Sequence, residues 1–107
     1  LPDVRGVQRI TVELPSPLRA LLQLPDAPLA LTVHAPVTIG AVLDVLEAQY
    51  PALQGTLRDP RTKQRRALVR FFACEEDWSH TAHDVALPDA VASGREPLLV
   101  VGAMAGG

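Results

Sequence analysis

The last five residues of the sequence, Ala103, Met104, Ala105, Gly106 and Gly107, carry its plainest chemical possibility. A carboxylate at a chain end reacts only after activation, normally as an acyl-adenylate made from ATP. To reach a nucleotide held by a partner it must thread a narrow channel, so small and pliant residues suit it. Gly106 and Gly107 have no Cβ and permit close backbone approach, and Ala103 and Ala105 are nearly as slim. The plain alternative is a frayed end with incidental glycines. Cys74 is the rival nucleophile. Glu75, Glu76 and Asp77 follow it and would raise a thiol pKa, and no base stands beside it, so an inert cysteine is the favoured reading. His80 and His83, three apart, suit a metal only on a helix; in an irregular segment they read as solvated polar residues. His34 falls at a strand end and carries no special expectation.

Arg61, Lys63, Arg65 and Arg66, with Arg58 and Arg70 nearby, form a basic run that can meet an acidic partner or a phosphate. An ordinary solvated loop is the preferred reading. Phe71 and Phe72 adjoin on a strand and must face opposite ways. One belongs beneath a helix; the other is a docking candidate, with the filling of a second small core as the equal alternative. No Ser-His-Asp order, phosphate-binding glycine loop or paired-carboxylate signature points to an independent enzyme.

These residues are positioned by a short series of elements. In Val7 to Leu14, Ile10, Val12 and Leu14 alternate with Arg9, Thr11 and Glu13, the pattern of a half-buried strand. Pro15 and Pro17 stop it. Leu18 to Leu24 suits a short helical turn, and Leu29 to Val33 a second strand, antiparallel to the first through a long connection. The clearest helix runs from the N-cap Thr38 to Tyr50. Ile39, Val42, Leu43, Leu46 and Tyr50 line one side, Asp44 and Glu47 are assigned to the other, and Pro51 closes it. Gly40 in the first turn is costly in a helix and marks a close contact. Arg58 to Arg66 reads as an exposed basic loop, Ala67 to Ala73 as a central strand, and Cys74 to Asp84 as polar and turn-like. Val85 to Val91 reads as an extended piece and then a turn, and Leu98 to Val101 as a buried strand.

The 107 residues make one domain, long enough to bury roughly 65% of the unfolded chain's surface. The division is a loose lead-in over residues 1–6, a globular domain over 7–101 and a flexible tail over 102–107. A net charge of -2 and 4% aromatic residues exclude a dedicated nucleic-acid binder. No apolar run approaches the roughly 20 residues of a membrane span, and no signal-peptide pattern opens the chain. One cysteine excludes an internal disulfide and fits a reducing compartment, so a cytoplasmic domain is expected.

Ile10 to Leu14, Pro36 to Pro51 (PVTIGAVLDVLEAQYP), Ala67 to Phe72 and Leu98 to Gly107 (LLVVGAMAGG) together resemble the ubiquitin-like sulfur carriers. That family includes the small subunit of molybdopterin synthase and the thiamine-biosynthesis carrier. The resemblance implies an α+β fold of β-grasp type, a mixed sheet of four or five strands wrapped over the helix. It implies a protein co-substrate rather than an enzyme, with Gly107 as the site of activation and sulfur attachment and Ala103, Met104, Ala105 and Gly106 as the threading tail. The implied partners are a ubiquitin-activating-type adenylyltransferase, which uses ATP and Mg, a sulfur donor, and an acceptor such as a synthase large subunit. Molybdopterin, thiamine and amino-acid biosynthesis all stay open as destinations. The chain itself is expected to bind no cofactor or metal, no nucleic acid and no membrane. The rival reading is a ubiquitin-like interaction module or non-catalytic subunit that is never adenylated. The sequence departs from the family after the third strand, where an Asn-Gly-type turn is usual and Cys74-Glu75-Glu76 stands instead.

Overall fold

A computed structural model describes residues 6–102. Five strands form one mixed sheet in the order β2-β1-β5-β3-β4. They are β1 (Val7–Glu13), β2 (Leu29–His34), β3 (Val69–Ala73), β4 (Glu76–Asp77) and β5 (Leu98–Gly102). β1 and β2 pair antiparallel, β5 lies parallel to β1, and β3 pairs antiparallel with β5 and with β4. Among the described residues, the helices α1 (Ser16–Leu22), α2 (Ile39–Gln49) and α3 (Asp89–Ala92) and a 3-10 turn at Pro51–Leu53 complete the α+β domain.

The core forms where the sheet's alternating apolar positions meet α2. Ile10, Val12, Leu31, Val33, Val69, Phe71, Leu98 and Val100 are buried with Ile39, Val42, Leu43 and Leu46 of the helix. Period-two burial on the strands and three-and-four burial on the helix make one continuous apolar layer. Thr38 caps α2 as its residue type demands, its hydroxyl accepting from the Ala41 N–H at 3.0 Å. Pro15 and Pro17 do more than end β1, because Pro17 also sits in the first turn of α1, where a missing N–H costs nothing.

Several expectations are corrected. β5 holds the middle of the sheet; β3 is an interior strand beside it, but its other edge is paired only at Phe72 and Ala73, with the two-residue β4. Arg70 within the ALVRFFA run is exposed, which requires one wet face. Leu98 to Val101 is buried on one face alone: Val101 is 49% exposed, and no helix among the described residues covers that side of the sheet. Gly102 belongs to β5, paired with Val69, and not to a tail. The turn within Val85 to Val91 begins the one-turn helix α3. Gly94, just after α3, has φ +83°, and a Cβ there would stand 2.6 Å from the Arg9 carbonyl oxygen. Only glycine lets this turn lie against β1.

Cys74 and Glu75 form the two-residue turn joining β3 to β4, with Ala73 paired to Glu76 across it. Both occupy the left-handed region, at φ 51° and 69°. That geometry favours Asn-Gly, so the residue types depart from the expected signal while the backbone keeps its shape. Replacing Cys74→Asn together with Glu75→Gly should add about 1 kcal/mol of stability. In a domain of this size that raises the melting midpoint by about 4–8 °C. An unchanged or lower midpoint in a thermal melt would show that the turn carries no strain.

Candidate functional site

The uncovered face of the sheet is where the chain approaches its C-terminal residues. Phe72 and Leu99 are cross-strand neighbours on this face, both half-buried, and Arg70 faces Val101 one pair further along. Leu68, immediately before β3, is 55% exposed. Leu68, Phe72, Leu99 and Val101 thus make an apolar strip along β3 and β5 toward Gly102, interrupted by the exposed Arg70, which pairs with Asp77 at 3.3 Å. Small apolar strips bordered by charge are the usual makeup of a protein-docking surface. Of the two phenylalanines expected as docking candidates, Phe72 lies on this face. Phe71 is fully buried, its ring edge-on to His83 at 5.7 Å, so it serves the core and is removed as a docking residue. Ala103, Met104, Ala105, Gly106 and Gly107 lie outside the described residues.

The basic run divides into braces and free cations. Arg58 is not part of an exposed loop; its side chain is 4% exposed and grips Glu47 with two hydrogen bonds, Nε to Oε2 at 3.0 Å and Nη2 to Oε1 at 2.9 Å. Nη2 also donates to Asp44 at 2.6 Å. Burial pulls the guanidinium's pKa down, but the hydrogen bonds and charges of Glu47 and Asp44 outweigh it and leave the value raised. Glu47 is therefore not on the helix's solvent side. It follows Leu43 by four residues, about 40° round the axis at 3.6 residues per turn, which places it on the flank of the buried stripe. Arg65 donates to the carbonyls of Ser79, Arg66, Ala67 and Val69, and Arg66 to that of Gly55. Lys63 and Arg61 are exposed, with no side-chain partner among the described residues.

Residues 78–87 form an irregular strap over β3 and the start of α2. The Phe71 N–H donates to the Ser79 hydroxyl at 2.9 Å, Gly40 N–H to the His83 carbonyl at 3.0 Å, and Leu87 N–H to the Val37 carbonyl at 2.8 Å. Gly40 is the close contact its position foretold, since a Cβ there would meet the His83 oxygen at 3.2 Å. His83 does not sit on a solvated surface as its irregular segment suggests; it is half-buried against Phe71. Burial first, then the charges of Arg58 and Arg65, hold its imidazole below the ordinary 6.5.

The folded state therefore prefers neutral His83. Its contribution should be complete above about pH 6.5 and lost as pH falls from there through the depressed folded value. Urea unfolding across this range should show that decline, and His83→Leu should flatten it. An equal decline in the variant would assign the effect elsewhere.

His34 and His80 are exposed, Cys74 is exposed at its turn, and no group of three or more His, Cys, Asp or Glu residues is assembled for a metal among the described residues. No helix among the described residues is long and apolar enough to cross a membrane. Comparison of the chain with protein-family models, curated proteins and solved structures finds no match.

Proposed function

We propose that this chain is a β-grasp protein acting as a sulfur carrier, with the carboxylate of Gly107 as the group that is activated. The observation that carries the reading is the placement of β5. It lies in the middle of the sheet, parallel to β1, and it ends at Gly102 beside the apolar strip, five residues ahead of Gly107. A partner docked on Phe72, Leu99, Val101 and Leu68 would thus have the reactive end emerging at the border of its own interface. The tail's small residues suit passage into a narrow site, and the sheet wrapped over α2 is compatible with the implied fold.

The chemistry is acyl transfer. The Gly107 carboxylate attacks the α-phosphorus of ATP held with Mg by a ubiquitin-activating-type partner, and pyrophosphate leaves. Hydrosulfide supplied by a donor then attacks the acyl carbon, AMP departs with the bonding electrons, the sulfur loses its proton to solvent, and a thiocarboxylate results. That group passes sulfur to an acceptor enzyme. The carrier supplies the terminus and the docking face, while the partner supplies the electrostatic stabilisation of the transition states. Removal of Gly106 and Gly107 tests the reading, since loading must vanish while the fold persists.

The exposed strip alone favours one other reading, an interaction module that is never adenylated. Such a module would retain partner binding when the two glycines are removed and would show no ATP-dependent chemistry with them present.

A further inference from the structure

Arg65 is held as a fixed cation with one nitrogen left over. Its Nε donates to the Ser79 carbonyl at 2.9 Å and its Nη1 to that of Val69 at 2.7 Å, with longer bonds from Nη1 to Arg66 and Ala67. Nη2 has no acceptor among the described residues. A guanidinium anchored in this way has already given up the rotamer freedom that an arginine loses on meeting a ligand, so Nη2 is a ready donor.

Arg65 lines an open cleft of about 690 Å³ between residues 63–65 and the strap at 79–83. Lys63, His80 and His83 line it too, and no acidic residue does among those described. Asp77, two residues before Ser79, is occupied elsewhere, accepting from the Ser79 N–H at 2.8 Å and pairing with Arg70 at 3.3 Å. The backbone N–H groups of His80, Ala82 and His83 donate to no acceptor among the described residues. The walls are pinned without a ligand. The bond from Arg65 to Ser79 ties loop to strap, the His83 carbonyl accepts from the Gly40 N–H at 3.0 Å, and the loop closes on itself where the Asp59 N–H donates to the Gln64 carbonyl at 2.8 Å. Fixed cationic donors and free N–H groups from two chain segments around an acid-free cleft make an oxyanion site. A second open cleft of about 650 Å³ shares Lys63 and His83 with the first and adds the exposed carboxylates of Asp44 and Asp84. A ligand lying across Lys63 would meet cations at one end and hydrogen-bond acceptors at the other.

We propose that these adjoining clefts bind a small phosphomonoester bearing hydroxyl groups, its phosphate held by Arg65 and Lys63 and its hydroxyls by Asp44 and Asp84. A phosphate suits the first cleft better than a carboxylate does. Its three terminal oxygens can meet the Arg65 Nη2, the Lys63 amine and the strap's N–H groups together, and its second negative charge is matched by the second cation. Each cleft is within the range of about 300–1,000 Å³ usual for small-molecule sites. The proposal does not rest on the carrier reading, since no residue beyond Gly102 takes part.

The test is a titration of the full chain with inorganic phosphate, ribose 5-phosphate and ribose at constant ionic strength, followed by the amide signals of residues 63–65 and 79–84. Saturable shifts confined to these segments are expected with the two phosphates and not with ribose. Ribose 5-phosphate should bind about tenfold tighter than inorganic phosphate, as two added hydrogen bonds would give. Lys63→Ala should weaken both by about fivefold, whereas Arg9→Ala, which removes an exposed cation of β1, should change neither. Asp84→Ala should remove most of the preference for the ester. No saturable shift with either phosphate, shifts spread over every exposed arginine, or equal losses on Lys63→Ala and Arg9→Ala would overturn the site. Tighter binding of an oligo-aspartate peptide than of ribose 5-phosphate, or equal affinity for inorganic phosphate and the ester, would overturn the ligand class. The carrier reading fails separately, by the absence of ATP–pyrophosphate exchange with the same chain.

Discussion

Arg58→Ala will cost the fold about 3–5 kcal/mol, because it leaves Glu47 buried without its cation. Against a typical total of about 5–15 kcal/mol, that is enough to leave a sizeable unfolded fraction at physiological temperature. The geometry says why the loss is concentrated in one pair. Glu47 is 10% exposed and is held by both forks of the guanidinium, whereas Asp44, the third member, is 69% exposed. Asp44→Asn should therefore cost no more than about 1 kcal/mol, as exposed ion pairs do. Replacing both buried partners, Arg58→Met with Glu47→Leu, should recover most of the loss, because the penalty lies in the orphaned charge and not in the absence of the pair. Urea unfolding of the four proteins decides the matter. An Arg58→Ala variant within about 1 kcal/mol of the parent would mean that Glu47 finds water or another donor.

Deleting Gly106 and Gly107 will abolish sulfur loading. Two residues of extended chain span about 7 Å, so the carboxylate of the shortened protein ends well short of the activating nucleotide. Misplacement of a reacting group by even about 1 Å costs on the order of a hundredfold in rate, and a shortfall of this size should reduce adenylation to background. The two residues come after the strand that ends at Gly102, so the unfolding free energy should change by less than about 0.5 kcal/mol. Partial loss of loading when the pair is replaced by Ala-Ala, with complete loss for Val-Val, would tie the effect to slimness and not to length alone. Loading that survives the deletion would remove the tail from the mechanism.

What was legible in the sequence was local. α2 announced itself through Thr38, its apolar stripe and Pro51, because cap, period and stop are all read within a dozen residues. β1 and β2 were legible from alternation and flanking prolines. What failed needed contacts between distant segments. Nothing within Arg58 to Arg66 distinguishes a buried arginine from its exposed neighbours; the partner, Glu47, lies eleven residues away on another element. Glu47 at the stripe's flank was the available signal, since a carboxylate there must find a cation. Apolarity places β3 inside the sheet but does not rank it against β5, and Arg70 already requires that one of its faces be open. The Cys74-Glu75 turn shows the converse, a backbone shape kept by tertiary pairing where the residues do not favour it. At the candidate site, the opposition of Phe71 and Phe72 followed from strand geometry, but which of them faced α2 depended on register. The contribution of Leu68, Leu99 and Val101 to one strip could be seen only once β3 and β5 were paired.

The central claim is that Gly107 carries sulfur, and the direct measurement is intact mass. The full chain would be incubated with ATP, Mg, a sulfide source and each of a panel of purified ubiquitin-activating-type adenylyltransferases. The account predicts that one enzyme supports exchange of a single terminal oxygen for sulfur, placed at Gly107 by fragmentation and missing when ATP is withheld. No adenylate and no sulfur gain with any enzyme of the panel, while the same enzymes load their own carriers, would contradict it and leave the uncovered sheet face as the surface of an interaction module.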